Sequence, residues 1–234
     1  MHGAYPNLRL PGGHLHGYRS GMPNVLVLLG HPDPQSFNGA LADAYAAAAE
    51  RAGARVELLR LVDLDFDPIL RMGFRGEQPL EPDLVRARAA IEAADHVVWV
   101  FPTWWASAPA LVRGFVDRVF LPGWAFRNHE GSSLPLKLLR GRSARIVTTM
   151  DAPRFWYVLA YRSALHHAFV TATLDYCGVG PVAKSTVYSV RNLDARARER
   201  AIARVAEEAR ADVARLAKGE RARRGEVVAR LGGG

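Results

Sequence analysis

Residues 25–38 read Val-Leu-Val-Leu-Leu-Gly-His-Pro-Asp-Pro-Gln-Ser-Phe-Asn. Five branched apolar residues, cut off by Gly30 and two prolines, have the length and composition of a strand buried on both faces. A helix follows from Ser36. Phe37, Leu41, Tyr45, Ala48 and Ala52 fall at spacings of four, four, three and four, which is one helical face. Gly53 stands where a C′ glycine ends a helix. Strand, turn and helix make the first half of a βα unit.

The rest of the chain repeats that unit. Arg55–Leu61, His96–Phe101, Ala144–Thr149 and Val182–Val190 read as strands. Pro82–Ala94, Pro109–Phe120, a long region from about Phe155 to Tyr176, and Asp194–Lys218 read as helices. The last carries Ile202, Val205, Ala209, Val213 and Leu216 in helical register. An irregular stretch to Glu81 separates the second strand from the second helix. Five strands alternating with five helices predict an α/β fold, a doubly wound five-stranded parallel sheet with helices on both faces. Right-handed crossovers make the order 2-1-3-4-5 the leading one. Such sheets bind ligands beyond the carboxyl ends of their strands, at the switch point, so any site should gather after strands one, three and four.

Composition agrees. The 234 residues are 49% apolar and 23% charged, the balance of a globular protein rather than a disordered one. One cysteine excludes an intramolecular disulfide framework and a Cys-rich zinc module, and fits a cytoplasmic location. No apolar run approaches the ~18 residues of a membrane span. The net charge of +8 is spread thinly: residues 1–21 hold +2, residues 219–234 another +2 and the middle +4. That is a solvated surface, and nucleic-acid binding would rest on the two ends alone. Residues 1–21 lack periodicity and a secretory h-region; they are expected to be a disordered leader, or an upstream extension with translation starting at Met22. Residues 22–218 form the expected domain and 219–234 a flexible basic tail.

The unusual residues do gather in the three loops. The first holds neither a Walker A loop nor a dinucleotide fingerprint. It delivers Ser36, Phe37 and Asn38 to a helix start, where free N–H groups and the dipole favour an anion, and His31 can add a proton or charge. Ser36 read alone is an N-cap. The second loop is Phe101-Pro102-Thr103-Trp104-Trp105-Ala106-Ser107-Ala108-Pro109. Residues 99–126 hold eight of the 21 aromatics, most of them expected in the core or a subunit interface. Two adjacent tryptophans in a loop are harder to hide, and suit stacking on a flat ligand. The third, Thr148-Thr149-Met150-Asp151-Ala152-Pro153, offers hydroxyls and amides to the edge of a heterocycle. A phosphate site, an aromatic platform and an edge-reader together are what a flavin nucleotide needs.

These same segments, with the helix Ala110–Phe120, resemble the flavodoxin-like NAD(P)H:quinone oxidoreductases, including the modulator-of-drug-activity and potassium-efflux ancillary branches. The resemblance spans about Pro23 to Lys218. It implies a homodimer with the flavin ring at the subunit interface, NAD(P)H as electron donor and a quinone-like acceptor. His31, Ser36, Phe37 and Asn38 match the pyrophosphate segment. Pro102, Thr103, Trp104, Trp105 and Ala106 match the segment against the ring. Thr148 and Thr149 match the edge-binding pair, and Met150-Asp151 stand where animal relatives often have Gly-Gly. The family tyrosine falls at or beside Trp156, with Tyr157 next to it, so these two are the catalytic candidates. His166 and His167 come too late in the helix to match the family histidine. Arg198 is placed to approach an adenine, which favours FAD over the alternative, FMN.

No metal site is expected, because His166 and His167 are adjacent and point about 100° apart on a helix. Cys177 reads as a small buried hydrophobe. A flavin-loaded ancillary subunit of a membrane transporter is the alternative function, without membrane insertion of this chain. A one-electron flavodoxin carrier fits less well, since such carriers are usually acidic.

Overall fold

The computed structural model describes residues 21–73, 75–128, 131 and 134–231, with side chains of the last helix described as far as Gly219. The leader expected over residues 1–21 lies, Gly21 apart, outside the described residues. Apart from a short antiparallel pair, Phe126–Arg127 with Leu136–Lys137, the strands of the main sheet are β1 (Asn24–Leu29), β2 (Arg55–Arg60), β3 (His96–Pro102), β4 (Ser143–Thr149) and β5 (Val182–Val187). All pair in parallel in the order β2-β1-β3-β4-β5. Leu28 sits between Leu59 and Trp99, and Trp99 is in turn beside Ile146. The predicted topology is therefore the observed one.

Around the sheet lie α1 (Phe37–Arg51), α2 (Pro82–Ala93), α3 (Ala110–Val119), α4 (Arg154–Leu159), α5 and α6 (Ala195–Leu231). Helix α5 is one turn at Ala164–His166 that passes into a π-helix at His167–Asp175. Alternation along the strands sorts the core into two layers. Val25, Val27, Leu29, Val98 and Val100 pack against α1 and α6 through Leu41, Tyr45, Val205 and Val213. Leu26, Leu28, Val97, Trp99 and Phe101 pack on the other face against α2, α3 and α5. There Trp99 meets Phe115 and Phe169 edge-on at 6.0 and 5.1 Å. Gly53 has φ +92°, the left-handed C′ geometry expected of it. Cys177 is buried, and burial pushes its thiol up to about 11. Among the described residues no helix is long and apolar enough to cross a membrane.

Three elements differ from the reading of the periodicity, the last helix among them, which runs on to Leu231 instead of ending at Lys218. The single helix expected over Phe155–Tyr176 is two, broken by Arg162 and Ser163 at φ 48° and 53°. Its buried residues explain the π segment: Leu165, Phe169 and Leu174 are spaced four and then five, and the wider turn keeps all three on the core. Strand β5 stops at Val187 rather than Val190. Ser189 takes φ 54°, and the chain turns so that Val190 N–H reaches Met150 O (3.2 Å) while Met150 N–H reaches Val187 O (2.9 Å).

At the amino edge of the sheet α6 is held by charge. Asp212, fully buried, accepts from Arg145 Nε (2.5 Å) and Nη2 (3.0 Å), Tyr45 OH (2.8 Å) and Arg215 Nη2 (2.7 Å). His96 Nε2 is 3.4 Å away. Burial by itself would raise this carboxyl; the neighbouring His96 and Arg145 outweigh it and hold the group far below the usual carboxylate range.

Candidate active site

The loop after β3 closes as a tight reverse turn. Trp104 and Ser107 exchange N–H···O bonds of 2.9 Å in both directions. Trp105 and Ala106 between them have φ 53° and 55°, the pair of positive values of a type I′ turn. That turn normally takes Asn and Gly, so a Trp-Ala pair carries a conformational cost of roughly 1–3 kcal/mol per residue. The indole of Trp105 is 100% exposed at its tip, while Trp104 meets the His31 ring edge-on at 5.9 Å. Strain and exposure together mark a side chain placed for something other than packing.

Beneath this turn lies a cavity of about 320 Å³ lined by Thr103, Trp105, Ala106, Met150, Asp151, Ala152, Tyr157 and Tyr161. Six of these eight are candidates named from the sequence. Among the described residues Thr103 Oγ1 is buried with no hydrogen-bond partner, an unmet polar group on a residue that lines the cleft. Ala152 and Tyr161 were missed. Tyr161 stands four residues after Tyr157, the spacing that puts two side chains on one helical face, and that spacing is the signal that could have found it.

The other candidates occupy the surroundings. Ser36 caps α1, its Oγ accepting from Gly39 N–H at 3.2 Å. The hydroxyl retains its own proton to donate, and the first-turn N–H groups of Phe37 and Asn38 belong to the set a helix start leaves unpaired. His31 Nδ1 accepts from Asp33 N–H at 2.9 Å. Asn38 is buried and its amide bonds Thr149 Oγ1 at 3.0 Å, tying the first loop to the third. Thr148 Oγ1 lies 3.1 Å from Thr186 Oγ1. Both threonine hydroxyls are thus satisfied within the protein, and Pro102 completes the buried end of β3. Arg198 lies over the Phe37 ring at 5.2 Å and donates to Val190 O (3.0 Å) and Leu193 O (3.3 Å).

Of the two catalytic candidates, Trp156 is half exposed against Tyr161, and Tyr157 is fully buried on the cavity wall. Burial pushes the Tyr157 phenol up, although its oxygen accepts the His166 backbone N–H at 3.3 Å. The His166 ring lies edge-on to Tyr157 at 5.3 Å, with Nε2 3.4 Å from Thr186 Oγ1. The resemblance leaves His166 out, as too late in its helix to match the family histidine. The broken backbone at Arg162–Ser163 folds it back under Tyr157.

Burial and the nearby charges of Lys184 and His167 lower the His166 imidazole to about 4. An unfolded histidine titrates near 6.5, so between these values the unfolded chain takes up a proton that the native protein refuses. Stability should fall as pH drops from about 6.5 towards 4, and His166→Phe should flatten that slope. Urea midpoints measured across this range test it; an identical slope in the variant would remove His166 from the account.

A family of flavodoxin-like fold matches residues 23–213. An uncharacterized NAD(P)H oxidoreductase of Haemophilus influenzae is 25% identical over 83% of this chain and 98% of its own length. NAD(P)H dehydrogenase (quinone) 1 of Cavia porcellus is 31% identical over 44% of each, so the chain spans under half of that relative. The crystal structure of Smu.1420 from Streptococcus mutans superposes with a TM-score of 0.70, at 26% identity, over 80% of this chain and 98% of that one.

Proposed function

The chain belongs to the flavodoxin-like fold family, and on that footing we propose that it is a flavin-dependent NAD(P)H oxidoreductase passing electrons to quinones or related electrophiles. The observation that carries this reading is the wholly exposed Trp105, held in a strained turn beside a cavity that Thr103, whose buried Oγ1 has no hydrogen-bond partner among the described residues, also lines. Flat aromatic walls and an unmet polar group fit an isoalloxazine ring. When bound, the flavin supplies hydride transfer: two electrons and a proton leave NAD(P)H, and the quinone departs as hydroquinone after taking one further proton.

The chain's own residues bind and orient. The helix start at Ser36, Phe37 and Asn38, with His31 beside it, holds the phosphate. Trp105 and Ala106 lie against the ring, and the backbone at Met150 and Asp151 reads its edge. Tyr157, neutral at pH 7, carries a hydroxyl proton on the cavity wall. The ribityl phosphate common to FMN and FAD is what these residues address, since the structure commits the Arg198 guanidinium to Phe37 and two carbonyls. A second copy of the chain is proposed to cover the apolar face of α4, where Phe155 is 64% and Leu159 73% exposed.

Purified protein, or apoprotein given flavin, should be yellow, bleach anaerobically with NAD(P)H and recolour with a quinone. The mass of the released flavin separates FMN from FAD. A colourless protein that takes up neither overturns the proposal. Turnover no faster than free flavin would instead favour a flavin-loaded ancillary subunit.

Trp105→Ala separates platform from packing. A fully exposed residue contributes little to the apoprotein, so apo stability should move within about 0.5 kcal/mol. Flavin retention should weaken by about 0.5–1.5 kcal/mol of lost stacking. Equilibrium dialysis of flavin beside apo melting checks both; unchanged retention would remove the ring from Trp105.

A further inference from the structure

We propose that Asp151 sets the charge preference of the cavity, so that the protein reduces neutral and cationic acceptors in preference to anionic ones. Of the eight residues lining the cavity, Asp151 is the only one with a charged side chain. It stands after β4 and is held from the neighbouring loop after β5. Arg191 N–H donates to one carboxylate oxygen at 2.9 Å and Arg191 Nη2 to the other at 3.0 Å. Both oxygens are therefore fixed in place by one residue. Arg191 itself does not line the cavity, and its side chain is 82% exposed against 52% for Asp151. The pair is a dipole with its negative end at the cavity wall and its positive end in solvent. An anionic acceptor approaching a flavin ring held in the cleft meets the negative end first, at a distance where solvent screening is incomplete. Trp105, Tyr157 and Tyr161 also line the cavity, and aromatic rings are partners for a cation and not for an anion.

This inference rests on the cavity being the site of NAD(P)H-dependent reduction. A purely structural role for the bridge, coupling two loops, predicts that losing either partner has the same consequence. The electrostatic role predicts opposite consequences. Three acceptors with one ring system serve as probes: a naphthoquinone, its sulfonate and its quaternary-ammonium derivative. Asp151→Asn keeps an oxygen acceptor for Arg191 N–H and removes the charge. It should lower the ratio of kcat/KM for the cationic over the anionic quinone by about fivefold, the size of one screened surface charge. Arg191→Ala removes the counter-ion and should raise that ratio. The midpoint potential of bound flavin should follow, rising in Asp151→Asn and falling in Arg191→Ala, because a nearby negative charge disfavours uptake of electrons.

Opposite shifts in the two variants establish the proposal. Shifts in the same direction, or none, in a wild type that reduces all three quinones overturn it and leave the bridge a structural clasp. A wild type that turns over none of the three with NAD(P)H overturns the functional reading beneath, and this inference with it.

Discussion

Replacing Asp212 by alanine is expected to lower the unfolding free energy by about 3–5 kcal/mol, because it strands buried partners instead of deleting a whole ion pair. Arg145 keeps only Glu208, 3.4 Å from its Nη1, as a carboxylate partner. The Tyr45 hydroxyl loses its acceptor and the fully buried His96 its neighbour. These residues come from α1, β3, β4 and α6, so the loss loosens the attachment of the last helix to the sheet. Asp212→Asn should cost less, since the amide oxygen still accepts from one of the donors. The carboxyl is held well below its ordinary range, and the sign of the pH dependence follows. Its contribution is complete above the unfolded carboxylate value near 3.9 and is lost progressively as the pH falls below it. Acid unfolding followed by circular dichroism should show a drop in stability below about pH 4 in the wild type, and a shallower one in Asp212→Asn. A loss under about 1 kcal/mol in Asp212→Ala, the range of exposed pairs, would mean that the cluster is solvated in solution.

The second large effect is expected at Gly39, inside the first turn of α1. Helix propensity by itself favours alanine there by about 1 kcal/mol. The tertiary structure reverses the sign. A Cβ at Gly39 would stand 1.8 Å from Pro34 O and 2.8 Å from Pro34 C. Both are backbone atoms, so no rotamer change relieves the overlap. Either the loop from His31 to Gln35 moves or the helix start does, at a net cost of about 1–3 kcal/mol. That loop carries the Asp33 turn, in which Gln35 N–H and Ser36 N–H bond Asp33 at 2.8 and 3.2 Å, so Ser36 would be carried out of place. Gly39→Ala should therefore lose both thermal stability and flavin retention, whereas Trp105→Ala loses retention with the apo melt nearly unchanged. A variant that melts like the wild type and keeps its flavin would show that the Pro34 carbonyl yields freely.

The folding pattern was legible because it is written in local periodicity. Runs such as Val25–Leu29 and Val97–Phe101 are apolar on every residue and bounded by turn residues, the pattern of a strand covered on both faces. The spacings along Phe37–Ala52 and Ile202–Leu216 declare which helical face is inside. Those facts place four of the five strands and most helix boundaries to within a residue or two. Chirality and short connections then leave few orders for the sheet. The loops after β1, β3 and β4 were legible as a site for the same reason: in a parallel sheet chain order decides which loops lie at the carboxyl edge.

What the local pattern could not carry is the direction in which a side chain points once segments distant in sequence meet. Thr148 and Thr149 stand at the strand end expected of edge-binding residues. Their hydroxyls lie within hydrogen-bond distance of Thr186 and Asn38, which β5 and α1 bring alongside. His166 looked remote from Tyr157 at helical spacing, and the left-handed backbone of Arg162 and Ser163 folds it alongside. Nothing in Trp105-Ala106 announces two positive φ values, since both residues disfavour them and the conformation is imposed by the hydrogen bonds of Trp104 and Ser107. Nothing in the sequence marks Asp212 as the buried partner of residues this distant, and only the meeting of Tyr45, His96 and Arg145 around it does so. The sequence by itself determined the sheet, its order and the edge at which ligands would bind, because these depend on hydrophobic period and chain connectivity. Only the tertiary structure decided which polar groups stay free to meet a ligand, because a buried donor or acceptor takes the nearest partner, and the nearest partner is set by packing.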